Sequence, residues 1–253
     1  MELLISNKYK PFREAGQLSF YLGLFLLPSA FSIAVLLLLI ASLISFFLER
    51  KEYLKSKLNS SLFLGSLFLI LSSIYNSFFS DNIYNQEFSN PFLENIDLLN
   101  WIPLIFFFCS FQPYLRSEKS RRDTALLISL GTLPVIYSIF GQLFFEWHGP
   151  LKTLNGLIIW YQRPIDGITN ITGLFNNQNY LGCWLNIVWP FGLALYFNEK
   201  NNLRKIFIFL FISCIALSII LCASRAAWLG LIISITLFFG KSSIKWIISL
   251  LLI

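Results

Sequence analysis

LSFYLGLFLLPSAFSIAVLLLLIASLISFFL, residues 18–48, decides the fold. The run carries no charge, yet Lys8, Lys10 and Arg13 precede it and Arg50, Lys51, Lys55 and Lys57 follow it. Cytoplasmic connections of membrane proteins concentrate Lys and Arg, so both ends of the run are expected on one side of a bilayer. An even number of crossings must then lie between them. Pro28 lacks the N–H that a continuing helix needs and stands where a helical pair would turn. The expectation is two short helices or a re-entrant hairpin, not one long span.

Working outward, the same alternation continues. Ser60–Phe79 leads to 80–100, a connection with Asp81, Glu87, Glu94 and Asp97 but no Lys or Arg. A short run around Trp101–Leu115 returns to Arg116, Lys119, Arg121 and Arg122. Thr124–Phe145 leaves again for a second long connection, 146–172, and Leu174–Phe197 comes back to Lys200, Arg204 and Lys205. From Ile206 to Gly240 the chain is apolar except near Ser224-Arg225, and Lys241 and Lys245 follow. At about 1.5 Å of rise per residue, one helix of that length would far exceed a bilayer core about 30 Å thick. Parity again asks for a hairpin, with Ser224-Arg225 at its outer tip. The expected architecture is therefore an all-α polytopic integral membrane protein with a cytoplasmic N-terminus. It has about eight transmembrane helices, several paired as hairpins, and an incomplete ninth that begins at Trp246. Residues 1–253 form one membrane-embedded domain with outer loops at 80–100 and 146–172.

Composition excludes the soluble classes. Hydrophobic residues make up 56% and charged residues 13% of the chain, against about 25% charged in ordinary globular proteins. The net charge of +6 sits in short connections between apolar runs, so it reads as topology; no nucleic-acid partner is expected. Cys109, Cys183, Cys214 and Cys222 lie in or beside apolar segments without CxxC or metal-ligand spacing, and no metal or other cofactor is expected. The chain has no GxxxxGK[ST] loop, no GxGxxG turn and no HExxH pair, which argues against nucleotide-driven chemistry. The N-terminal basic residues imitate a secretory signal, but the apolar character runs on through Leu48, so the segment reads as a retained membrane element.

Three groups of residues invite a functional reading. Trp147, Trp160, Tyr161, Tyr180, Trp184 and Trp189 crowd the outer end of 146–190, as an interfacial aromatic belt does, and as a stacking surface for sugar rings would. GLFNNQNYLG, 173–182, puts Asn176, Asn177 and Asn179 at the start of a membrane helix. One carboxamide suffices to cap the helix; the others, with the positive end of the helix dipole, suit an anionic or hydroxyl-rich ligand. Arg225, in ASRAAWLG, is costly in a membrane segment at roughly 2.5–3.5 kcal/mol on insertion scales; it either binds a ligand or snorkels to headgroups. His148, the single histidine, stands in the loop EWHGP with no visible partner.

GLFNNQNYLG followed one hairpin arm later by CASRAAWLG resembles the membrane core of the O-antigen ligase/polymerase family, and is most similar to its cyanobacterial members. NWIPLIFFFCSFQPYL (100–115) and GPLKTLNGLIIWYQRP (149–164) support the likeness, which covers roughly 100–240. The resemblance implies a glycosyltransferase of cell-envelope or lipopolysaccharide biosynthesis in the bacterial inner membrane. Its donor would be a glycan on undecaprenyl diphosphate, and its acceptor a lipid or glycan hydroxyl at the outer face. It implies that Arg225 binds the donor diphosphate; Asn176, Asn177 and Asn179 from their place at the helix start, Trp160 and Tyr161 from the aromatic cluster, and Arg163 upstream of them are the candidates for substrate binding. The family often has an arginine just before the glycine of the Asn motif; here TNITGLF has none, and Arg163 lies upstream. A late periplasmic loop carrying the family's histidine base is not within these residues, so no catalytic residue is assigned and the 253 residues alone are expected to be inactive. The alternative is a transporter of inorganic carbon, such as bicarbonate, or of another small anion. That reading calls for a polar path to the inside, and the cytoplasmic halves of the runs are almost wholly apolar.

Overall fold

The computed structural model describes residues 9–79, 91–166 and 170–240. The helices in chain order are α1 (Lys10–Leu26), α2 (Phe31–Lys55), α3 (Lys57–Phe79), α4 (Pro91–Phe111), α5 (Glu118–Gly131), α6 (Leu133–Phe145), α7 (Gln178–Asn198), α8 (Asn202–Leu221) and α9 (Arg225–Phe239). A two-stranded antiparallel hairpin, β1 (Leu151–Thr153) with β2 (Ile158–Trp160), interrupts them. Four helical stretches are long and apolar enough to cross a membrane: Phe31–Glu49, Glu118–Phe145, Gln178–Asn198 and Asn202–Leu221. Asn59–Tyr75, Trp101–Leu115 and Arg225–Phe239 are shorter apolar helices. Large apolar side chains stay exposed along them, Phe207 at 71% and Leu237 at 78%. Lipid is the solvent that accepts such a surface, and helices suit it because they satisfy their own backbone groups. Hydroxyls inside the helices do likewise: Ser42, Ser66, Ser218 and Thr236 each donate to the carbonyl four residues earlier. The chain is an α-helical membrane protein.

Leu18–Leu48 breaks at Pro28, as the proline and the flanking charges predict, with α1 and α2 separated by a short turn. Ser224-Arg225 marks a second break: Ala223 takes a φ of 52° and Ser224 caps α9. Thr124–Phe145, read from the sequence as one run, is two helices that meet at Thr132. Pro134 at the start of α6 has no N–H to offer the preceding turn, so the ladder restarts there. The 80–100 connection is helical from Pro91 onward; a proline first residue is pre-organised for a helix start. The remainder of that connection, 80–90, the N-terminal tail with Lys8, and the ninth run from Trp246 lie outside the described residues.

The chain groups into two compact units. One takes Leu37–Ser117 with the chain up to Phe20; the other takes Tyr21–Leu36 with the chain from Glu118 onward. In the first, Glu49 stands 3.2 Å from Arg13 and 2.6 Å from Arg116. The first turns of α1, the far end of α2 and the chain just after Leu115 therefore meet at one end of this unit. Tyr114 donates to the Ala41 carbonyl at 2.8 Å and stacks on Phe20. Gln112 donates to Asn59 at 2.7 Å.

The second unit is built around α7, which packs against α5, α8 and α9. Val135, Leu181, Leu185, Val188, Ile215 and Ile219 fill its core with essentially no exposed surface. At one end Arg122 faces Glu199 across 3.6 Å. At the other, the turn after α1 docks: the Trp160 indole donates to the Ser29 carbonyl at 2.8 Å. Gly131 lets the backbone of Phe25 approach so closely that a Cβ would sit 2.3 Å from its carbonyl oxygen.

Candidate functional site

Every candidate residue named from the sequence lies in the second unit. Asn177 is extended in backbone and its side chain accepts from the Asn179 N–H at 2.7 Å, so this one of the three asparagines is the cap of α7. Gln178 accepts from the Asn170 N–H at 3.0 Å, closing the approach to the helix. Asn176 and Asn179 are exposed. Arg163 is also exposed, and its Nε donates to the Asn176 carbonyl at 3.1 Å. A guanidinium from another part of the chain thus stands at the Asn motif.

Arg225 opens α9 directly after its cap: Ser224 Oγ accepts from the Ala227 N–H at 3.4 Å. The arginine is exposed, and among the described residues no carboxylate lies in ion-pair range of it. The two helix starts are neighbours. A Cβ on Gly182 would lie 2.5 Å from Ala227 Cβ and 3.6 Å from Ser224 Cβ. One turn deeper, Asn186 Nδ2 donates to the Ala227 carbonyl at 3.0 Å. The first turns of α7 and α9 therefore run side by side, and their unsatisfied N–H groups, equivalent to about half a positive charge per helix, converge at one end. Arg163 is bound at the first and Arg225 begins the second.

A buried amide holds this end together. Gln142, 3% exposed on α6, donates to the Arg163 carbonyl at 2.9 Å and to Thr172 Oγ1 at 3.1 Å. Its own oxygen accepts from the Thr172 N–H at 3.1 Å and the Gly173 N–H at 2.8 Å. Thr172 Oγ1 also accepts from the Arg163 N–H at 3.0 Å, and the Tyr161 N–H donates to the Leu174 carbonyl at 3.1 Å. Next to it Gln162, buried, donates to Ser138, while its Oε1 has no hydrogen-bond partner among the described residues. Gln142, Gln162 and Thr172 were missed from the sequence. The available signal was a glutamine inside the apolar run LPVIYSIFGQLFF, since polar groups at membrane depth are expensive and rarely idle.

The aromatics divide. Trp160 packs against the core and spends its indole N–H on Ser29; Trp184 donates to Thr132 Oγ1 at 3.0 Å; Trp189 is buried. Tyr161 and Tyr180 remain exposed and offer ring faces beside Arg163 and at the start of α7. His148 Nδ1 lies 3.0 Å from the Glu146 carbonyl, on the loop side of α6. The cysteines are free thiols, and among the described residues no group of three His, Cys, Asp or Glu could hold a metal. An apolar cavity of about 260 Å³, lined by Leu126, Leu130, Leu133, Phe207 and Phe211, lies among α5, α7 and α8 and carries no charged group. No family model, curated protein or solved structure matches the chain.

Proposed function

We propose that this chain is the membrane core of a glycan ligase or polymerase that works at the outer face of a bacterial inner membrane. The N-terminus and the end marked by Arg122 and Glu199 are cytoplasmic, and about eight crossings carry the Asn motif and Arg225 to the outer end. The observation that supports this most is the pairing of two helix starts, α7 and α9, with a guanidinium at each. A diphosphate is the ligand such an arrangement suits. Guanidinium binds phosphate oxygens bidentately through charge-assisted bonds, and helix starts present free N–H groups to anions.

In the reaction an acceptor hydroxyl oxygen attacks the anomeric carbon of the donor sugar. The bond from that carbon to the diphosphate oxygen breaks, and undecaprenyl diphosphate leaves with the electron pair. Fixed positive charge at the leaving oxygens lowers the barrier because charge grows there in the transition state. Arg163 and Arg225 hold the donor diphosphate, Asn176 and Asn179 reach sugar hydroxyls, and Tyr161 stacks on a ring. The hydroxyl proton goes to a base that these residues do not identify.

Binding of undecaprenyl diphosphate to the purified chain in nanodiscs, read by native mass spectrometry, tests this. Arg225→Ala is expected to weaken binding tenfold or more, taking about 1.5–3 kcal/mol for a charged hydrogen bond. Arg225→Lys should restore part of it, lacking the planar fork. Equal binding by parent, Arg225→Ala and Arg163→Ala would refute the assignment, and bicarbonate uptake into proteoliposomes would replace it with transport.

A further inference from the structure

The hairpin β1–β2 points to an interaction of its own. Leu151, directly paired with Trp160, shares the face that docks on the helices, whereas Lys152 pairs with Ile159 on the opposite face. The tip, Leu154 to Leu157, turns through a left-handed run, with φ of 50° at Leu154, 54° at Asn155 and 89° at Gly156. A branched side chain rarely adopts that region, and here it belongs to a leucine that is largely exposed: Leu154 is 62% and Leu157 55% exposed. Asn155 and Gly156 are the residues such a turn favours; the exposed leucines on either side of them are not needed by the turn.

In the chain the hairpin follows closely on a helical stretch long and apolar enough to cross a membrane. Phe144 and Phe145, at the end of the stretch Glu118–Phe145, are 69% and 70% exposed, and the loop to the hairpin starts at the next residue. Trp147, lying against Tyr137 and Phe145, adds an amphipathic ring at the same level, and tryptophan favours the boundary between headgroups and acyl chains.

We infer that the hairpin is an interfacial membrane anchor, whose Leu154 and Leu157 enter the acyl boundary of the adjacent leaflet while Lys152 meets anionic headgroups. The partner is the lipid surface itself, rich in anionic phospholipid. The anchor bears on the proposed site because β2 runs directly into Tyr161, Gln162 and Arg163. Lipid contact at the tip thus fixes the height of Arg163 relative to the headgroup plane, where a lipid-linked diphosphate would lie. The anchoring rests only on the chain being embedded in a bilayer; its effect on a diphosphate rests on the function proposed above.

Spin labels placed singly at residues 144, 154 and 157 of the full chain, with Cys183→Ser removing the exposed native thiol, test the anchor in phosphatidylglycerol/phosphatidylethanolamine nanodiscs. Labels at 154 and 157 are expected to be more accessible to oxygen than to a water-soluble nickel complex, as is the reference label at 144. Label 144 in lipid with 154 and 157 in water would overturn the anchor alone. All three in water would overturn the membrane reading with it. Dipolar broadening between two copies at 154 would replace lipid by a second protein as the partner. Amide exchange over 151–160 should also be slower in nanodiscs than in short-chain detergent for the unlabelled chain, and equal rates would count against the anchor.

Discussion

Gln142→Leu is the perturbation that most directly examines the construction of the candidate site. The substitution keeps the size of the side chain and removes both its amide hydrogens and its oxygen. Thr172 is fully buried, and its N–H, with that of Gly173, then has no acceptor. An orphaned buried group costs about 1–3 kcal/mol, so the two together cost about 2–6 kcal/mol if nothing relaxes. The Arg163 carbonyl also loses its donor, but Arg163 is exposed and water replaces part of that bond. Relaxation of the loop admits water to the rest, which places the expected loss near the lower end, about 3 kcal/mol. Thr172→Val removes one hydroxyl while leaving the Gln142 oxygen on both N–H groups, and should cost about 1–2 kcal/mol. Denaturant unfolding in mild detergent measures both, and amide exchange at 172 and 173 reports the local change. Exchange there should accelerate in Gln142→Leu. A loss within about 0.5 kcal/mol, the range of an ordinary surface change, with unaltered exchange would refute the clamp.

Other expectations concern the helix starts and the far end of the bundle. Asn177→Ala should lower stability by about 0.5–2 kcal/mol through loss of the cap, whereas Asn179→Ala should leave the unfolding midpoint unchanged and weaken only ligand binding. Gly182→Ala puts a methyl group 2.5 Å from Ala227 Cβ and should cost about 1–3 kcal/mol by overpacking; adding Ala227→Gly should recover part of it in a double-mutant unfolding cycle. Glu199 is held below its ordinary carboxyl value of 4.5 chiefly by the Asn201 N–H, which together with the Lys200 N–H, Arg204 and Arg122 outweighs the opposing desolvation. Because the folded value is the lower one, its stabilisation is complete above the ordinary value and disappears as pH falls through the folded value. Unfolding midpoints measured from pH 6 downward should therefore drop less for Glu199→Gln than for the parent, and identical slopes would contradict this.

The parts of the fold that could be read from the chain are those governed by nearest neighbours and by the solvent. Pro28 breaks its run because proline cannot donate, the run 206–240 breaks at Ser224-Arg225, and Arg13 and Arg116, expected on one side, meet at Glu49. Pro134 carries the same signal as Pro28, but the apolar character continues across it and masks the break. The β hairpin escaped notice because three-residue strands leave too little alternation to recognise. At the site, Asn177 was legible as a cap, but the meeting of Arg163 with Asn176 was not. That contact depends on Gln142, which bridges segments 21 and 30 residues away, and no local pattern encodes such a distance. Arg225, legible as the charge at the break in its apolar run, stands exposed at the first residue of α9.

The bond between Trp160 and Ser29 has a consequence for the order of biosynthesis. Its partners are separated by 131 residues, so at about 5–20 residues per second the turn at 27–30 leaves the ribosome on the order of ten seconds before the indole that serves its carbonyl exists. During that interval α1 and α2 are already available for insertion, and the Ser29 carbonyl must find another donor. Water or a phospholipid ammonium supplies one only if the turn waits near a bilayer surface. A nascent hairpin parked too deep would expose a bare carbonyl to hydrocarbon, at a cost of several kcal/mol. The late arrival of Trp160 thus makes the depth of the newborn hairpin a quantity that its own sequence, with polar Ser29 at the turn, has to set unaided.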